Sequence, residues 1–334
     1  MTETSDVHTI SVGADPTEAR FTVGVTEKNL NPYWDMVNAG FHDAGVRLGL
    51  SIRIAAPAYE DIDAQVAATL SHLEEGVDAI AFVASAKGAF TDACDLARKR
   101  SVPVLAVDLD DPDTGRLLYI GTEKPYELGR AAAKVMLANI DERAGGPVIV
   151  QTGSTQAPGA VGKLKGFVDT LRQAGVTTVG GDDDGEYLDR ALDNARALLS
   201  AHPEAIGLYG VYAYHPIVQA TALQERGETG RVPIVGFDML PETAALIRER
   251  AVTASIWIRE YYFGYLTAAA VFNALALGEQ AALDLTGLAA GPPEERTLRL
   301  PTEVIDVNSV EAFIAWSRNL GLDERTAPSL PEAT

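Results

Sequence analysis

Cysteine occurs once in 334 residues, at Cys94. A single thiol excludes an internal disulfide and any cysteine-rich metal site. Within a helical stretch over 90–99 it reads as a small buried hydrophobe. Histidine is scarce too: His8, His42, His72, His202 and His215 complete the set. None stands in an HExxH or comparable zinc spacing. His202 precedes a proline at a helix end, where it would cap carbonyls, and His215-Pro216 marks a strand-to-helix turn. Positive charge is outnumbered, with 27 basic residues against 47 acidic and a formal net charge of −20. A surface of that sign repels phosphates, which argues against nucleic acid and anionic membranes as partners. No apolar run reaches the length of a membrane span. The loop 153–159, GSTQAPG, is rich in small residues but has no GxGxxG spacing, and neither a Walker loop nor a GxSxG elbow occurs. Nothing pairs a nucleophile with a base, so the expectation is a protein that is not an enzyme and needs no cofactor.

What is present is a regular alternation. Hydrophobic content of 47% with 22% charged residues is that of a soluble globular chain, and the length suits two domains. Strand-like apolar runs at 21–25, 51–55, 79–83 and 104–107 are separated by helical periodicity. The rhythm resumes at 147–151, 177–180, 205–209 and 234–237. Such βαβα order predicts parallel sheets covered by helices on both faces. Two sets of four strands, divided near residue 122, predict two lobes rather than one wide sheet. Later elements at 253–257, 261–277, 296–306 and 309–318 would complete the sheets by returning the chain between lobes. Residues 1–20 have neither a basic start nor an apolar stretch, so they read as a flexible arm and not as a signal peptide. Residues 321–334 read as a tail. On this evidence the protein is cytoplasmic or has lost a leader. The acidic triplet 182–184 reads as solvated loop.

Three segments carry candidate chemistry. FTVGVTEKNLNPYW (21–34) is an alternating strand, then a loop, then Asn31-Pro32 opening a helix, with Tyr33 and Trp34 in its first turn. Open α/β sheets place ligands at the carboxyl ends of their strands, so these rings either line a site or staple the helix to the core. VPVLAV (102–107) runs into Asp108, and VPIVGF (232–237) runs into Asp238. A strand-end carboxylate can accept hydroxyl hydrogen bonds, hold a metal or cap a turn. Two at equivalent strand ends, together with the aromatic pair, point toward a small-molecule site.

In this order and spacing, FTVGV…NPYW…GF, GVDAIAF, PVLAVDLD, AHPEAIGLYG, PIVGFDMLPE and TASI resemble the type I periplasmic sugar-binding proteins of ABC transporters, the ribose-binding-protein-like family. The resemblance covers about 21–278. It implies an α/β fold of two Rossmann-like doubly wound parallel-sheet lobes joined by a three-segment hinge. Lobe one would hold 21–122 plus about 259–290, and lobe two 123–258 plus about 291–320. It implies a monomer that captures a small sugar or polyol in an interlobe cleft by hinge closure and delivers it to an ABC permease. The implied location is periplasmic or extracellular, anchored at the membrane. A ligand-sensing partner of a signalling receptor, with a non-sugar ligand, is the alternative.

Position by position, the resemblance assigns Asn31 to bond sugar hydroxyls, Tyr33 and Trp34 to stack on the ring, and Asp108 and Asp238 to hold hydroxyls from either lobe. Tyr187 falls near a further stacking aromatic. Four positions depart from the family. Leu109 and Val161 stand where ribose-like members carry arginines, Tyr212 falls near an asparagine, and Ile258 near a glutamine. Lys163 is close enough in sequence to replace one arginine. These departures leave room for a less polar or cationic ligand.

Overall fold

The computed structural model describes residues 6–140, 145–289 and 291–322. The chain forms two compact units, and each is discontinuous in sequence. Unit 1 comprises Met1–Thr122 and Arg259–Leu300, and unit 2 comprises Glu123–Ile258 and Pro301–Thr334. The chain therefore passes from one unit to the other three times.

Unit 1 is built on a seven-stranded sheet. In spatial order its strands are β1 (Val7–Gly13), β3 (Leu50–Pro57), β2 (Phe21–Thr26), β4 (Ala79–Phe82), β5 (Val104–Val107), β6 (Leu118–Gly121) and β12 (Thr297–Arg299). Strands β2 to β6 and β12 run parallel, and β1 is antiparallel to β3. The runs AIAF and VLAV of β4 and β5 are buried at every position, as a parallel sheet covered on both faces requires. Helices α1 (Tyr33–Leu48), α2 (Ile62–Glu74), α3 (Thr91–Lys99), α9 (Glu260–Leu277) and α10 (Glu279–Thr286) complete the unit.

Two sequence expectations fail here. The segment before residue 21 is not a loose arm, because Val7–Gly13 pairs with β3 from Val7↔Pro57 to Gly13↔Ser51. Its side chains are mostly exposed, so its hydropathy carries little signal. The strand is held by a backbone ladder to a segment some forty residues away. Likewise 296–306 is not one strand-rich piece of the second lobe. Thr297–Arg299 pairs with β6 in unit 1, and only the strand after Pro301 belongs to unit 2. Strand β6, short and beginning two residues after Arg116, also went unread. From residue 323 on, the expected tail lies outside the described residues.

Unit 2 repeats the plan with six strands, ordered β13 (Glu303–Asp306), β11 (Ala254–Trp257), β10 (Ile234–Phe237), β9 (Gly207–Gly210), β7 (Val148–Thr152) and β8 (Thr178–Asp183). All are parallel except β13, which is antiparallel to β11. Its helices are α4 (Pro125–Leu137), α5 (Pro158–Gln173), α6 (Leu188–Ala201), α7 (His215–Glu225), α8 (Pro241–Arg248) and α11 (Val310–Asn319). The core contains Phe167 stacked on Tyr209 at 3.7 Å, with Phe237 edge-on to Tyr209.

In each unit the first parallel strand has its successor on one side and the next strand on the other: β3-β2-β4 in unit 1 and β8-β7-β9 in unit 2. The carboxyl ends beside these reversals form the crevice where such sheets bind ligands. One pair of helices in each unit crosses at glycines. A Cβ on Gly40 of α1 would fall on the Tyr261 carbonyl oxygen, and one on Gly264 of α9 on that of Val37. Gly129 of α4 and Gly166 of α5 are reciprocal in the same way, against the carbonyl oxygens of Lys163 and Tyr126. Only glycine permits backbones to approach this closely.

Candidate functional site

In unit 1 the candidate residues come from the ends of β2 and β5. Asn31 does not project freely: its Oδ1 accepts the amide of Tyr33 at 3.0 Å, shaping the turn into α1. Tyr33 is half-buried, and its hydroxyl donates to Asp108 Oδ1 at 2.8 Å. Trp34 meets Tyr33 edge-on at 4.9 Å. It is only 4% exposed, and its indole N–H donates to Asn29 Oδ1. Trp34 thus sits as a staple would, with Tyr33 the more open of the two rings.

Asp108 has φ +63°, in the left-handed region that Asp tolerates better than most residues. Its N–H donates to the Ile120 carbonyl, and its own carbonyl accepts the Tyr119 hydroxyl at 2.6 Å. Burial, then the neighbouring Asp108 charge, pushes the Tyr119 phenol far up, which keeps it a neutral donor. Leu109 is half-buried, with its N–H turned back to Val107 O at 2.7 Å. The next residue, Asp110, takes the buried Arg116 side chain through two 2.6 Å hydrogen bonds.

Sequence reasoning missed Glu27, the first residue past β2. It is 3% exposed. Burial holds its carboxyl well above the usual range, the charges of Asp35 and Asp108 add to this, and a hydrogen bond from Asn38 partly offsets it. The signal was available: a carboxylate at the carboxyl end of a strand, the same rule that singles out Asp108 and Asp238.

In unit 2 Asp238 mirrors Asp108. It has φ +64°, donates its N–H to the Ile256 carbonyl and accepts the Ser255 hydroxyl on its own carbonyl at 2.6 Å. Beside it the Lys163 ammonium lies over the Phe237 ring, 4.4 Å from its centroid. Val161, two residues earlier on α5, is exposed. Tyr187 precedes α6 with the Arg190 guanidinium over its ring at 4.9 Å. Ile258, the last residue of the unit's first segment, is buried.

Tyr212 belongs to a network that the sequence did not reveal. Its N–H donates to His215 Nδ1 at 3.0 Å, and His215 Nε2 lies 2.8 Å from Asp184 Oδ2. With Nδ1 accepting, the ring proton is on Nε2 and donates to the carboxylate. Asp184 also accepts the Tyr214 hydroxyl and the Glu186 amide. Asp184 and His215 are both almost fully buried. This overturns the reading of 182–184 as a wholly solvated loop: one of its three acids is an internal anchor. Three donors on one carboxylate compensate for the burial of its charge. The geometry brings Tyr33, Trp34 and Asp108 together in one unit, and Tyr212 with the Asp184 network in the other. Among the described residues no three acidic, histidine or cysteine side chains could hold a metal ion.

Residues 23–280 match the family described as the periplasmic binding protein domain. The chain belongs to that family, in its type I, ribose-binding-protein-like group. It is 23% identical over 237 residues to the D-allose-binding periplasmic protein of Escherichia coli (strain K12), covering 68% of this chain and 75% of that one. The ribose import binding protein of Bacillus subtilis (strain 168) is also 23% identical, over 240 residues, covering 71% and 75%. In fold it is similar to a solute-binding protein from Agrobacterium vitis with bound D-fucose, with TM-score 0.75, 20% identity, and 88% of this chain and 98% of that one covered. A glucose-galactose binding protein from Geobacillus stearothermophilus gives TM-score 0.72 at 24% identity, covering 87% and 98%.

Proposed function

We propose that this chain is the solute receptor of an ABC importer. In this reading it captures a small sugar or sugar-like polyol between its two lobes, which close about the three chain crossings. The observation that supports this best is the matched pair Asp108 and Asp238. Each ends a parallel strand on the crevice side of its sheet and has its main-chain N–H and carbonyl bonded to the neighbouring strand. Carboxylates so placed accept charge-assisted hydrogen bonds from hydroxyls, while an aromatic face such as that of Tyr33 or Tyr212 takes the ligand's C–H side. Asn31, Trp34, Leu109, Val161, Tyr187 and Ile258 complete the proposed lining.

The chain works in this reading as a monomer outside the cytoplasmic membrane, with a permease as its protein partner and no catalytic step. Among the described residues no helix is long and apolar enough to cross a membrane. A thermal-shift screen against aldopentoses, aldohexoses and polyols tests the proposal, because a ligand that binds only the folded form raises the melting temperature by mass action. Stabilisation by at least one sugar that is lost in Asp238→Ala is the expected result. A screen in which no sugar or polyol stabilises the protein overturns the reading.

A further inference from the structure

We infer that β1 is a docking edge for a second copy of this chain, and that two copies pair through it reversibly, strand against antiparallel strand. The register shows which backbone groups face outward. The Ala14 amide donates to the Leu50 carbonyl, and the Ala58 amide to that of Asp6. Both bonds lie directly across the β1–β3 ladder, in which Val7 faces Pro57 and Gly13 faces Ser51. Hydrogen-bonded and open pairs alternate along an antiparallel ladder. His8, Ile10 and Val12 therefore direct their N–H and carbonyl groups to β3, while those of Val7, Thr9, Ser11 and Gly13 point away from it. The Gly13 amide agrees with this, since it donates to His42 Nδ1 at 3.2 Å. Residues 7–11 are exposed, and among the described residues no strand lies outside β1.

Two features choose the occupant. Edge strands are usually blunted by charge, proline or a break in register. The other three sheet edges follow that rule: β12 carries Arg299, β13 carries Glu303 and Asp306, and β8 ends in Asp182-Asp183 with a register break against β7. Strand β1, VHTISVG, has no acid, lysine, arginine or proline and no break in its register. The strand is also complementary to itself. About a two-fold axis at Thr9, Thr9 faces Thr9, and Val7 faces Ser11 on either side. Each outward N–H and carbonyl over that stretch then meets its counterpart. Between these pairs His8 faces Ile10, covering a side chain that is 49% exposed. Asp6 falls across from Val12, clear of the Asp6 of the other copy. Each β1 then has a strand on both sides, so the contact closes at two copies. So short an edge buries far less than the roughly 1,200 Å² at which stable interfaces begin. Pairing therefore depends on concentration, and the receptor works singly when dilute.

Sedimentation velocity of the full chain from about 1 μM to about 1 mM tests this, and the average mass should climb from monomer toward dimer. Thr9→Lys sets like charges opposite each other at the axis. It should hold the chain monomeric over the whole range, with melting unchanged because Thr9 is exposed. Thr9→Cys tests the register itself. Opposed Cα atoms in a hydrogen-bonded pair lie about 5.5 Å apart, within disulfide reach. Mild oxidation of the concentrated protein should therefore link Thr9→Cys to its own copy. Val7→Cys, which lies across from Ser11, should link far more slowly, and the native thiol of Cys94 is buried and does not compete. A wild type that stays monomeric at about 1 mM, a dimer that survives Thr9→Lys, or equal linking by the two cysteine variants overturns the inference. Sugar binding enters none of these readouts, so the receptor reading stands or falls separately.

Discussion

Asp108 and Asp238 adopt the same left-handed backbone, φ +63° and +64°, one residue beyond the strands β5 and β10. In both, the N–H reaches the carbonyl of an isoleucine on the next parallel strand, Ile120 or Ile256, and the carbonyl is held by a hydroxyl from that strand, Tyr119 or Ser255. The two units solve one problem, turning a carboxylate out of a buried strand end, with the same main-chain bonds and different hydroxyl donors.

Because of that backbone, Asn and Ala substitutions should separate at these positions. Asn tolerates positive φ, so Asp238→Asn should melt close to the wild type. Asp238→Ala should lose about 1 kcal/mol to backbone strain. Both should weaken sugar binding by roughly 1.5–3 kcal/mol, the range for a hydrogen bond to a charged group. Melting curves and calorimetry on the same samples distinguish the effects. An Asn variant that binds as tightly as the wild type would remove the carboxylate from the site.

The Asp184 network should prove structural. His215→Phe leaves a buried carboxylate with two donors in place of three and the Tyr212 amide without its acceptor. A loss of about 3 kcal/mol in urea unfolding is expected, since a hydrogen bond to a charged group contributes about 1.5–3 kcal/mol and an amide left unpaired in the interior adds to it. A loss below about 1 kcal/mol, the scale of an ordinary neutral hydrogen bond, would mean that the network is dispensable.

Two buried groups should tilt the pH profile in opposite senses. Glu27 titrates higher in the fold than its usual 4.5, chiefly because it is buried. Its neutral form therefore favours folding at low pH, and that contribution fades as pH rises through the folded value. Glu27→Gln should match the wild type near pH 4 and become the more stable protein progressively above it. His72 titrates below its usual 6.5, again through burial, so its contribution is complete above about 6.5 and is lost as pH falls. Unfolding free energies from pH 4 to 8 check both slopes, and a Glu27→Gln difference that shrinks with rising pH would contradict the first.

Ribose should be a poor ligand. Leu109 and Val161 occupy the positions where the resemblance calls for arginines, and each hydroxyl desolvated against an apolar side chain costs about 1–3 kcal/mol. Two such losses weaken binding roughly a hundredfold. Tight ribose binding by calorimetry would show that Lys163 or another donor has taken the arginines' place.

The candidate site was legible where a residue's type and its place at a strand end agreed. Asn31-Pro32, Asp108 and Asp238 stand at chain reversals that local pattern marks. Glu27 and Asp184 obeyed the same rule but were passed over, because an acid beside Lys28 or within an acidic triplet looks solvated. Burial is a tertiary property, and it arises from α1 against Glu27 and from Tyr214 and His215 against Asp184. The same limit hid β1, an exposed edge strand whose partner is distant in sequence. The alternation of strands and helices, by contrast, is written in runs such as AIAF and VLAV that only a two-sided sheet can bury.

The glycine crossing of α1 and α9 bears on the order in which the protein is made. Gly40 leaves the ribosome more than two hundred residues before Tyr261 and Tyr265, the α9 residues it packs against, whereas Gly129 and Gly166 emerge in quick succession. During synthesis the five parallel strands of unit 2 can assemble as a contiguous stretch while the N-terminal segment of unit 1 still lacks α9. Contacts this distant in sequence form late and slowly. The helix that begins at Tyr33 thus waits for its partner until most of the chain has been made, and only α10 and β12 of its own unit and the closing β13 and α11 of unit 2 follow.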